Sequence, residues 1–243
     1  MGKNVLITGA SRGIGKATAQ VFAQAGYNIA ACCRTDRDAL ERSLLTLHRK
    51  YGVCVMSRQA DVGDPAQAAD LVQSAEDALG QIDILVNNAG ISSVGLITDL
   101  SADEWDRIIR TNLSSVFYMS RAVLPAMIRR KDGVIVNVSS VFGIHGASCE
   151  AAYSAAKGGV NAFTESLAKE LAPSGIRVNA VAFGVVDTEM NDNLSPAEKA
   201  ALTEEIPAGR FASAEEAARF LLQVAESPAY LNGQVIAFDG AWF

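Results

Sequence analysis

Short apolar segments alternate with segments of helical periodicity along nearly the whole of this 243-residue chain. Stretches such as GKATAQVFAQAG and PAQAADLVQSAEDALG repeat apolar residues with the spacing of an α-helix, and the segments between them are rich in β-branched residues. Strands and helices that alternate in this way form a parallel sheet with helices on both faces. The sequence therefore predicts an α/β fold, a doubly wound parallel sheet with strands at residues 5–8, 28–33, 53–58, 82–87, 133–139, 176–181 and 234–238.

The length and composition fit one large domain. Folds of this class run to about 250 residues without dividing, and no low-complexity linker interrupts the pattern. We therefore expect a single domain over residues 1–243. Residues 183–212 have the weakest pattern, with many acids and alanines, and we expect them to form a lid or loop at the substrate site rather than core.

Charge and hydropathy exclude several classes of partner. A net charge of −6 and a pI near 5.0 provide no basic field for a nucleic acid. No segment approaches the roughly 18 apolar residues of a membrane span. The opening MGKNVLITGA has no signal-peptide pattern, and Leu6 stands where a myristoylation motif has Ser or Thr. We expect a cytoplasmic protein with no nucleic-acid or membrane partner.

The cysteines and histidines do not form a metal-ligand pattern. No CxxC spacing is present, and His48 and His145 are isolated in the sequence. We interpret the cysteines as small buried hydrophobes of a reduced, cytoplasmic protein, and we assign no metal. His145 and Cys149 precede Tyr153 closely, which leaves a substrate contact open for both. The four cysteines are Cys32, Cys33, Cys54 and Cys149.

The glycine-rich stretch TGASRGIG at residues 8–15 follows the first predicted strand and opens a helix. Glycines in such a turn let the backbone approach a pyrophosphate closely and aim the helix N-terminus at negative charge. Glycine also serves ordinary turns, so the stretch alone is a modest signal. The strand before it and the helix after it favour a Rossmann-type dinucleotide-binding site.

The end of the second predicted strand bears on the choice of dinucleotide. A carboxylate there binds the ribose hydroxyls of NAD, whereas an arginine accommodates the 2′-phosphate of NADP. Cys33 and Arg34 occupy that place, and Arg12 in the glycine turn adds a second cation. The two arginines favour NADP(H), although Asp36 and Asp38 follow closely and leave NAD(H) open.

A tyrosine and a lysine stand four residues apart in YSAAK, at the start of a predicted helix. Tyr153 and Lys157 would lie on one helical face, one turn apart. The pair is either a surface feature or an acid beside a group that tunes its pKa. Because a nearby cation favours the phenolate, we expect Lys157 to lower the pKa of Tyr153 from the ordinary tyrosine value of about 10.

A series of motifs, in order and at matching spacing over essentially the entire chain, resembles the short-chain dehydrogenase/reductase family. Each motif alone is weak, but the set is specific. Within the family the chain is most similar to bacterial 3-oxoacyl-[acyl-carrier-protein] reductases. The motifs are TGASRGIG at 8–15, Asp61-Val62, NNAG at 87–90, Asn112 in TNLSSVF, Ser140 in VNVSS, Tyr153 and Lys157 in YSAAK, and Thr188 in VVDTEM.

The resemblance implies NADPH-dependent reduction of a carbonyl to a secondary alcohol. Tyr153 would be the general acid, with Lys157 also holding the nicotinamide ribose. Ser140 would hydrogen-bond the substrate carbonyl, and Asn112 would anchor a water in the proton relay. The asparagines of NNAG would also tie their strand end to neighbouring backbone. The expected cofactor-binding residues are Gly9, Ser11, Arg12, Ile14, Arg34, Asp61, Val62, Asn88, Ala89, Gly90, Tyr153, Lys157, Val186 and Thr188.

Two positions depart from the pattern of the family. Phe183 precedes Gly184 where relatives commonly have Pro-Gly, and we expect its aromatic ring to reshape the substrate pocket. The sequence closes on DGAWF where many relatives have DGG. We expect Trp242 and Phe243 to be buried against a neighbouring subunit, since members of this family are usually homotetramers.

The resemblance to acyl-carrier-protein reductases implies a substrate and a partner in fatty acid biosynthesis. Such enzymes dock an acidic carrier protein through basic residues near the mouth of the active site. Arg129, Arg130 and Lys131 are the expected part of that surface. Ser174 occupies the second position that is often basic in these enzymes, which weakens the assignment.

Two alternatives remain open at this point. The stretch GASCEAAYSAAKGG resembles bacterial reductases of the 5-aminopentanone modification on elongation factor P, and the carboxylate of Glu150 would suit a terminal amine. A non-catalytic NADP(H)-binding sensor is the other. The presence of Ser140, Tyr153 and Lys157 argues against a sensor, which needs no proton donor.

Overall fold

The computed structural model describes residues 2–192 and 194–243. Its strands are β1 Asn4–Ile7, β2 Asn28–Cys33, β3 Val55–Gln59, β4 Ile84–Asn87, β5 Gly133–Ser140, β6 Ile176–Phe183, β7 Val186–Asp187, β8 Ala212–Ser213 and β9 Val235–Phe238. Its α-helices are α1 Gly13–Gln24, α2 Arg37–Tyr51, α3 Pro65–Leu79, α4 Ala102–Ile109, α5 Ser115–Arg130, α6 Phe142–His145, α7 Ala151–Leu171, α8 Pro196–Glu205 and α9 Ala214–Glu226. A π-helical turn, Arg110–Ser114, joins α4 to α5.

Within these ranges seven parallel strands form one sheet in the order β3-β2-β1-β4-β5-β6-β9, and β7 pairs with β8 separately. Every strand predicted from the apolar segments is present at its expected place. The sheet carries helices on both faces, which confirms the predicted doubly wound α/β fold. All pairings within the sheet are parallel, so the crossover helices connect strands that run in one direction.

Alternate residues of each central strand supply two separate apolar layers. In β1, Val5 and Ile7 pack into the layer that contains Phe22 of α1, together with residues of α2 and α9. Leu6, between them, packs into the opposite layer with Met119 of α5 and residues of α3 and α7. Because both faces are covered, the strand is apolar throughout, as expected for a buried parallel strand.

The segment at residues 183–212 is more structured than the sequence suggests. Phe183, Val186 and Ile206 are buried, so the expectation that this segment lies outside the core is wrong for these three residues. Between them, α8 begins with a capping box in which Ser195 and Glu198 exchange side-chain and backbone hydrogen bonds. Its role as a lid stays a prediction.

Phe183 is the last residue of β6 and is buried, and an effect of its ring on the substrate pocket stays a prediction. The β6–β9 register places it beside Phe238, and the two rings pack edge to face with centroids 5.7 Å apart. Its side chain is buried in the core layer that also contains Val181 and Leu221. The aromatic ring at this position therefore contributes to the packing of the core.

The prediction of four buried cysteines is confirmed in part. Cys32 and Cys33 on β2 are buried, Cys149 is half-buried, and Cys54 is exposed. Cys54 precedes β3 rather than lying within it, which explains its exposure. Across residues 2–192 and 194–243, no helix has both the length and the apolar character needed to cross a membrane.

Polar side chains lie fully buried within the sheet and are paired with one another. Asn137 on β5 accepts a hydrogen bond from Asn87 Nδ2 (2.9 Å) and donates one to Thr164 Oγ1 (2.9 Å) on α7. These bonds tie two neighbouring strands to the helix that crosses them. An unpaired buried amide is costly, so each partner depends on the others.

We expect Asn137→Ala to lower the free energy of unfolding by about 2 to 4 kcal/mol, because the buried groups of Asn87 and Thr164 lose their partner. Chemical denaturation at neutral pH measures the change. Gln73→Ala, on the exposed face of α3, is the control and changes stability by less than about 0.5 kcal/mol. Equal effects of the two substitutions would contradict this view of the buried amide.

Candidate active site

The predicted site residues follow the carboxyl ends of parallel strands. The chain leaves β1 toward β2 and β3, then returns to the other side of β1 and continues from β4. Loops after β1 and β4 therefore diverge and leave a crevice between them, which is where ligands bind in open α/β sheets. The glycine turn follows β1, and NNAG begins at the last residue of β4.

The glycine turn brings bare backbone to this crevice. Gly9 and Gly13 have φ of +67° and +53°, a conformation that residues with a side chain rarely adopt. A Cβ on Gly15 would lie 2.3 Å from Gly9 O and 2.5 Å from Asn88 Nδ2. Within the described residues, the side chain of the N-cap residue, Arg12, makes no hydrogen bond to the first amides of α1. This bare helix N-terminus fits the pyrophosphate of a dinucleotide.

The loops after β1 and β4 are joined by four hydrogen bonds. Thr8 Oγ1 accepts from the backbone amides of Asn88 and Ala89, both at 3.0 Å. Asn88 Nδ2 donates to Thr8 O (2.9 Å) and Gly9 O (3.0 Å). Asn88 therefore has the structural role predicted for NNAG, and these bonds fix the two loops beside the crevice.

The other expected cofactor residues lie along the same edge. Asp61 Oδ1 accepts from the amide of Gly63 (2.9 Å), which fixes the turn after β3. A Cβ on Gly13 would lie 3.4 Å from Thr188 Cγ2, so the segment after β6 approaches the glycine turn. Val62 and Val186 are buried. The partly exposed members of the set are Gly9, Ser11, Ile14, Asp61, Asn88, Ala89, Gly90 and Thr188.

The two arginines proposed to distinguish the dinucleotides are both exposed. Arg12 precedes α1, and Arg34 follows β2. Within the described ranges neither forms an ion pair. Asp36, by contrast, uses its carboxylate as the N-cap of α2, where Oδ1 accepts from Ala39 N (3.1 Å). The nearest acid after β2 therefore already has a structural partner.

Asn112 lies fully buried in the π-helical turn between α4 and α5. Its Oδ1 accepts from Ile91 N (2.8 Å), and its Nδ2 donates to Ile91 O (2.7 Å). A Cβ on Gly90 would lie 3.3 Å from Asn112 Oδ1 and 3.7 Å from Lys157 Nζ. Asn112 therefore holds the loop after β4 beside Lys157. Single π-helical turns occur frequently at functional sites.

Ser140, Tyr153 and Lys157 come together from β5 and α7. Lys157 Nζ lies 5.6 Å from the centroid of the Tyr153 ring and donates to Val138 O (2.7 Å) on β5. Ser140, the last residue of β5, is buried, and its side chain lies near enough to Tyr153 to act on the pKa of the phenol. The sequence-predicted catalytic residues thus meet at one place, with the amide of Asn112 next to them. Their catalytic roles stay predictions.

The expectation of a lowered pKa for Tyr153 is wrong for the protein's own groups, because burial and Glu150 set the net direction. Burial and the nearby charge of Glu150 raise the pKa of Tyr153 to about 12, and the Ser140 side chain acts in the opposite direction. Burial also lowers the pKa of Lys157 to about 8. The four-residue spacing correctly predicted that Tyr153 and Lys157 lie close together. It did not reveal that the Lys157 ammonium donates to a backbone carbonyl of β5.

The loop before Tyr153 carries an acid that is paired with the loop after β4. Glu150 accepts a hydrogen bond from Ser92 Oγ (3.0 Å), and Gly95 N donates to Cys149 O (2.8 Å). Burial raises the pKa of Glu150, while the Ser92 bond lowers it. Cys149 has φ +63°, a left-handed conformation that favours glycine.

The expected docking residues do not form one exposed basic surface beside this site. Arg129 and Lys131 are exposed, but the Arg130 guanidinium donates to Ile82 O and lies 3.9 Å from Asp83 Oδ1. All three residues precede β5, whereas Ser140 is the last residue of that strand. The strand is eight residues long, so roughly 23 Å separates the three residues from Ser140. Within one chain they lie at the opposite edge of the sheet from Tyr153.

Several residues that support the site were missed by the sequence reasoning. Ser139 Oγ donates to Asn161 Oδ1 (2.6 Å), and Asn161 Nδ2 donates to Gly143 O (3.0 Å). A Cβ on Gly143 would lie 2.6 Å from the carbonyl carbon of Lys157, so only glycine permits this approach of α6 to α7. The spacing of Lys157 and Asn161, four residues apart on one helical face, was a usable signal for Asn161.

Comparison with known proteins agrees with this geometry. The family described as short chain dehydrogenase matches residues 3–199. The chain is 43% identical to YmfI of Bacillus subtilis, named an uncharacterised oxidoreductase, over 100% of this chain and 99% of that protein. It is 41% identical to the 3-oxoacyl-[acyl-carrier-protein] reductase FabG of Thermotoga maritima, over 98% and 97% of the two chains. For FabG of Escherichia coli the identity is 37%, over 100% and 98%.

The chain therefore belongs to the short-chain dehydrogenase family, as its motifs predicted. It is an oxidoreductase of that family, whose members use a nicotinamide cofactor, NAD or NADP.

The buried position of Lys157 makes stability depend on pH. The folded protein holds this proton less tightly than the unfolded chain, with a pKa of about 8 against 10.5. The unfolded chain therefore binds more protons between these values, and the free energy of unfolding rises with pH through this window. Below about pH 8 the buried charge is present and opposes folding; above about 10.5 this effect has ended.

We expect Lys157→Met to remove this rise, so that between pH 7 and pH 9 the wild type gains about 1 kcal/mol relative to the variant. Urea unfolding of both proteins at pH 7, 8 and 9, without added nucleotide, measures the difference. If the free energies of unfolding of the two proteins changed with pH in parallel, Lys157 would hold its proton equally tightly in the folded and the unfolded chain.

Proposed function

We propose that this chain reduces a carbonyl group to a secondary alcohol with NADPH, and that its substrate is a 3-oxoacyl thioester on acyl-carrier protein in fatty acid biosynthesis. The observation that carries the proposal is the meeting of Ser140, Tyr153 and Lys157 beside the crevice between β1 and β4. A proton donor, a hydroxyl and a cation at this position suit carbonyl reduction.

A bound nicotinamide supplies the hydride that the carbonyl carbon accepts. Tyr153, whose raised pKa of about 12 keeps it protonated at neutral pH, gives its hydroxyl proton to the carbonyl oxygen as negative charge develops there. Ser140 donates a hydrogen bond to the same oxygen. Lys157 stabilises the phenolate that Tyr153 becomes, since a nearby cation favours the charged form.

Three observations support NADPH as the cofactor. Arg12 in the glycine turn and Arg34 after β2 are both exposed, and in dinucleotide-binding folds of this kind a 2′-phosphate is accommodated by an arginine near the end of β2. Both guanidinium groups are without an ion-pair partner among the described residues. Asp36, the acid that would bind the ribose hydroxyls of NAD, caps α2 instead.

The comparisons support the thioester as substrate, since relatives at 41% and 37% identity are named 3-oxoacyl-[acyl-carrier-protein] reductases. The carrier protein is the partner that this substrate requires. Arg129 and Lys131 are far from Tyr153 in the same chain, so a carrier docked on them would serve the site of another subunit. The homotetramer is therefore part of the proposal, and exposed Phe117 on α5 (43% exposed) is an apolar contact available to it.

Glu150 supports a second candidate, the reduction of the 5-aminopentanone modification on elongation factor P. Its half-buried carboxylate lies near Tyr153 and has no ion-pair partner among the described residues. A substrate with a terminal ammonium would provide that partner. The thioester provides none, so the two candidates differ in what they require of Glu150.

We expect Tyr153→Phe to lower kcat for ketone reduction by about 10²- to 10⁴-fold, the usual contribution of a general acid, and to leave the Kd for NADPH nearly unchanged. NADPH oxidation followed by absorbance measures turnover, and nicotinamide fluorescence measures binding. Full activity of the variant would contradict the assigned role. Binding of NADPH without turnover of any carbonyl by the wild type would favour the sensor.

The same assay compares acetoacetyl thioester with 5-amino-2-pentanone. The leading proposal predicts faster turnover of the thioester and an unchanged KM for it on Glu150→Gln. Turnover of the amino-ketone alone, with a raised KM in Glu150→Gln, would replace it with the second candidate.

We expect Arg34→Ala to raise the Kd for NADPH by about tenfold or more, because a charge-assisted hydrogen bond to phosphate contributes about 1.5 to 3 kcal/mol, and to leave the Kd for NADH unchanged. Fluorescence titration with both dinucleotides measures this. Arg42→Ala, an exposed arginine of α2, is the matched control. Equal weakening of NADPH and NADH, or no weakening of either, would contradict the assigned 2′-phosphate contact.

A further inference from the structure

Residues 239–243, which follow β9, contact three segments that frame the candidate active site. These five residues, here called the strap, lie beside α6, beside the start of the segment after β6, and beside the loop that follows α8. The sequence predicted burial of Trp242 and Phe243 against another subunit. Within the chain both rings pack against Phe142, and Phe243 is 54% exposed, so burial against another subunit stays a prediction.

The aromatic end of the strap packs against α6. Phe243 stacks on His145 with ring centroids 4.9 Å apart and planes 11° apart. Trp242 and Phe243 both contact Phe142, at centroid distances of 5.6 Å and 6.3 Å. Aromatic pairs at such distances stabilise beyond simple area burial. α6 is a single short turn that also packs against α7, so the strap adds a second set of contacts to it.

The start of the strap is fixed by backbone geometry. Asp239 accepts hydrogen bonds from the amides of Ala241 (3.0 Å) and Phe243 (3.2 Å). Gly240 and Ala241 both have positive φ, +68° and +66°, which is strained for an alanine. Strain of this kind persists where surrounding structure imposes it and is concentrated at functional sites.

The first two residues of the strap contact the segment that carries Val186 and Thr188. A Cβ on Gly184 would lie 2.8 Å from Asp239 Cα. On the other side, Ala208 N donates to Gly240 O (3.1 Å), and a Cβ on Gly240 would lie 2.9 Å from Ala208 Cβ. Both ends of the segment that contains α8 are therefore in contact with the strap.

α6 in turn touches the catalytic residues. It follows Ser140 after one residue, and Phe142 N donates to Ser140 Oγ (3.2 Å). On its other side Gly143 packs against the backbone of Lys157 and accepts from Asn161 Nδ2. A displacement of α6 would therefore move Ser140 relative to Tyr153 and Lys157.

We propose that the strap is a positioning element, in which Trp242 and Phe243 hold α6 so that Ser140 keeps its place beside Tyr153. The strap acts through α6, and it joins α6 to the segment after β6 on the opposite side of the site. This inference rests on the proposed carbonyl reduction for its kinetic part only.

The test compares Phe243→Ala with Phe243→Tyr, which keeps the ring, and with Tyr230→Ala, which removes a fully exposed aromatic ring (102% exposed). Turnover is measured as kcat and KM with the carbonyl that the wild type reduces. Hydrogen exchange of backbone amides in residues 141–150 is measured on the same proteins and does not depend on turnover.

We expect Phe243→Ala to lower kcat by about tenfold or more, since small misplacements of a catalytic group have effects of this size, with KM changed less than kcat. Exchange in residues 141–150 increases, whereas exchange in β1 and α1 stays as in the wild type. Phe243→Tyr and Tyr230→Ala resemble the wild type in both measurements.

Unchanged exchange in residues 141–150 would overturn the proposal, and so would a raised KM with unchanged kcat, which would mean that the ring touches substrate. If the wild type reduces no carbonyl, the proposed function fails, and the exchange measurement still decides the role of the strap. If Phe243→Ala unfolds, Trp242→Ala provides the same comparison through the contact with Phe142.

Discussion

The hydrogen bond from Lys157 Nζ to Val138 O connects the two elements on which the candidate site depends. A lysine this deeply buried requires a partner, and the partner here is a backbone carbonyl of β5. The bond ties α7, which carries Tyr153, to the strand that ends in Ser140. Ser139 and Asn161 add a second link between the same elements, 2.6 Å long. The geometry of the candidate site thus depends on how α7 crosses β5 and not on the loops alone.

The parallel sheet supplies the other half of the site. Because all of its strands end at one edge, the glycine turn after β1, the loop after β4 and Ser140 on β5 are brought together without long connections. Thr8 and Asn88 then lock the first two loops to each other. Polar side chains stand at these positions in place of apolar ones, and each makes its hydrogen bonds with the segment at the end of the other strand. The hydrogen bonds that join the loops after β1 and β4 therefore also define the crevice for the dinucleotide.

The sequence predicted the sheet well, because strand identity depends on local apolar pattern, and that pattern is strong when both faces are buried. It also located Ser140, Tyr153 and Lys157, since helical spacing and strand ends are local features. It failed for Phe183 and Arg130, whose surroundings are set by β9 and by Asp83, far away in the chain. The direction of the Tyr153 pKa shift was wrong for a similar reason, because burial, its largest cause, is a tertiary feature. The strap escaped notice because its partners lie about 100 residues earlier.

The central claim is that hydride passes from a nicotinamide to a carbonyl carbon held between Ser140 and Tyr153. NADPH deuterated at the transferring position of C4, incubated with acetoacetyl thioester under single-turnover conditions, tests it most directly by mass spectrometry of the alcohol. The account predicts one deuterium on the carbinol carbon of the product. Binding of the labelled cofactor with no deuterium in any product, for thioester and amino-ketone alike, would contradict it.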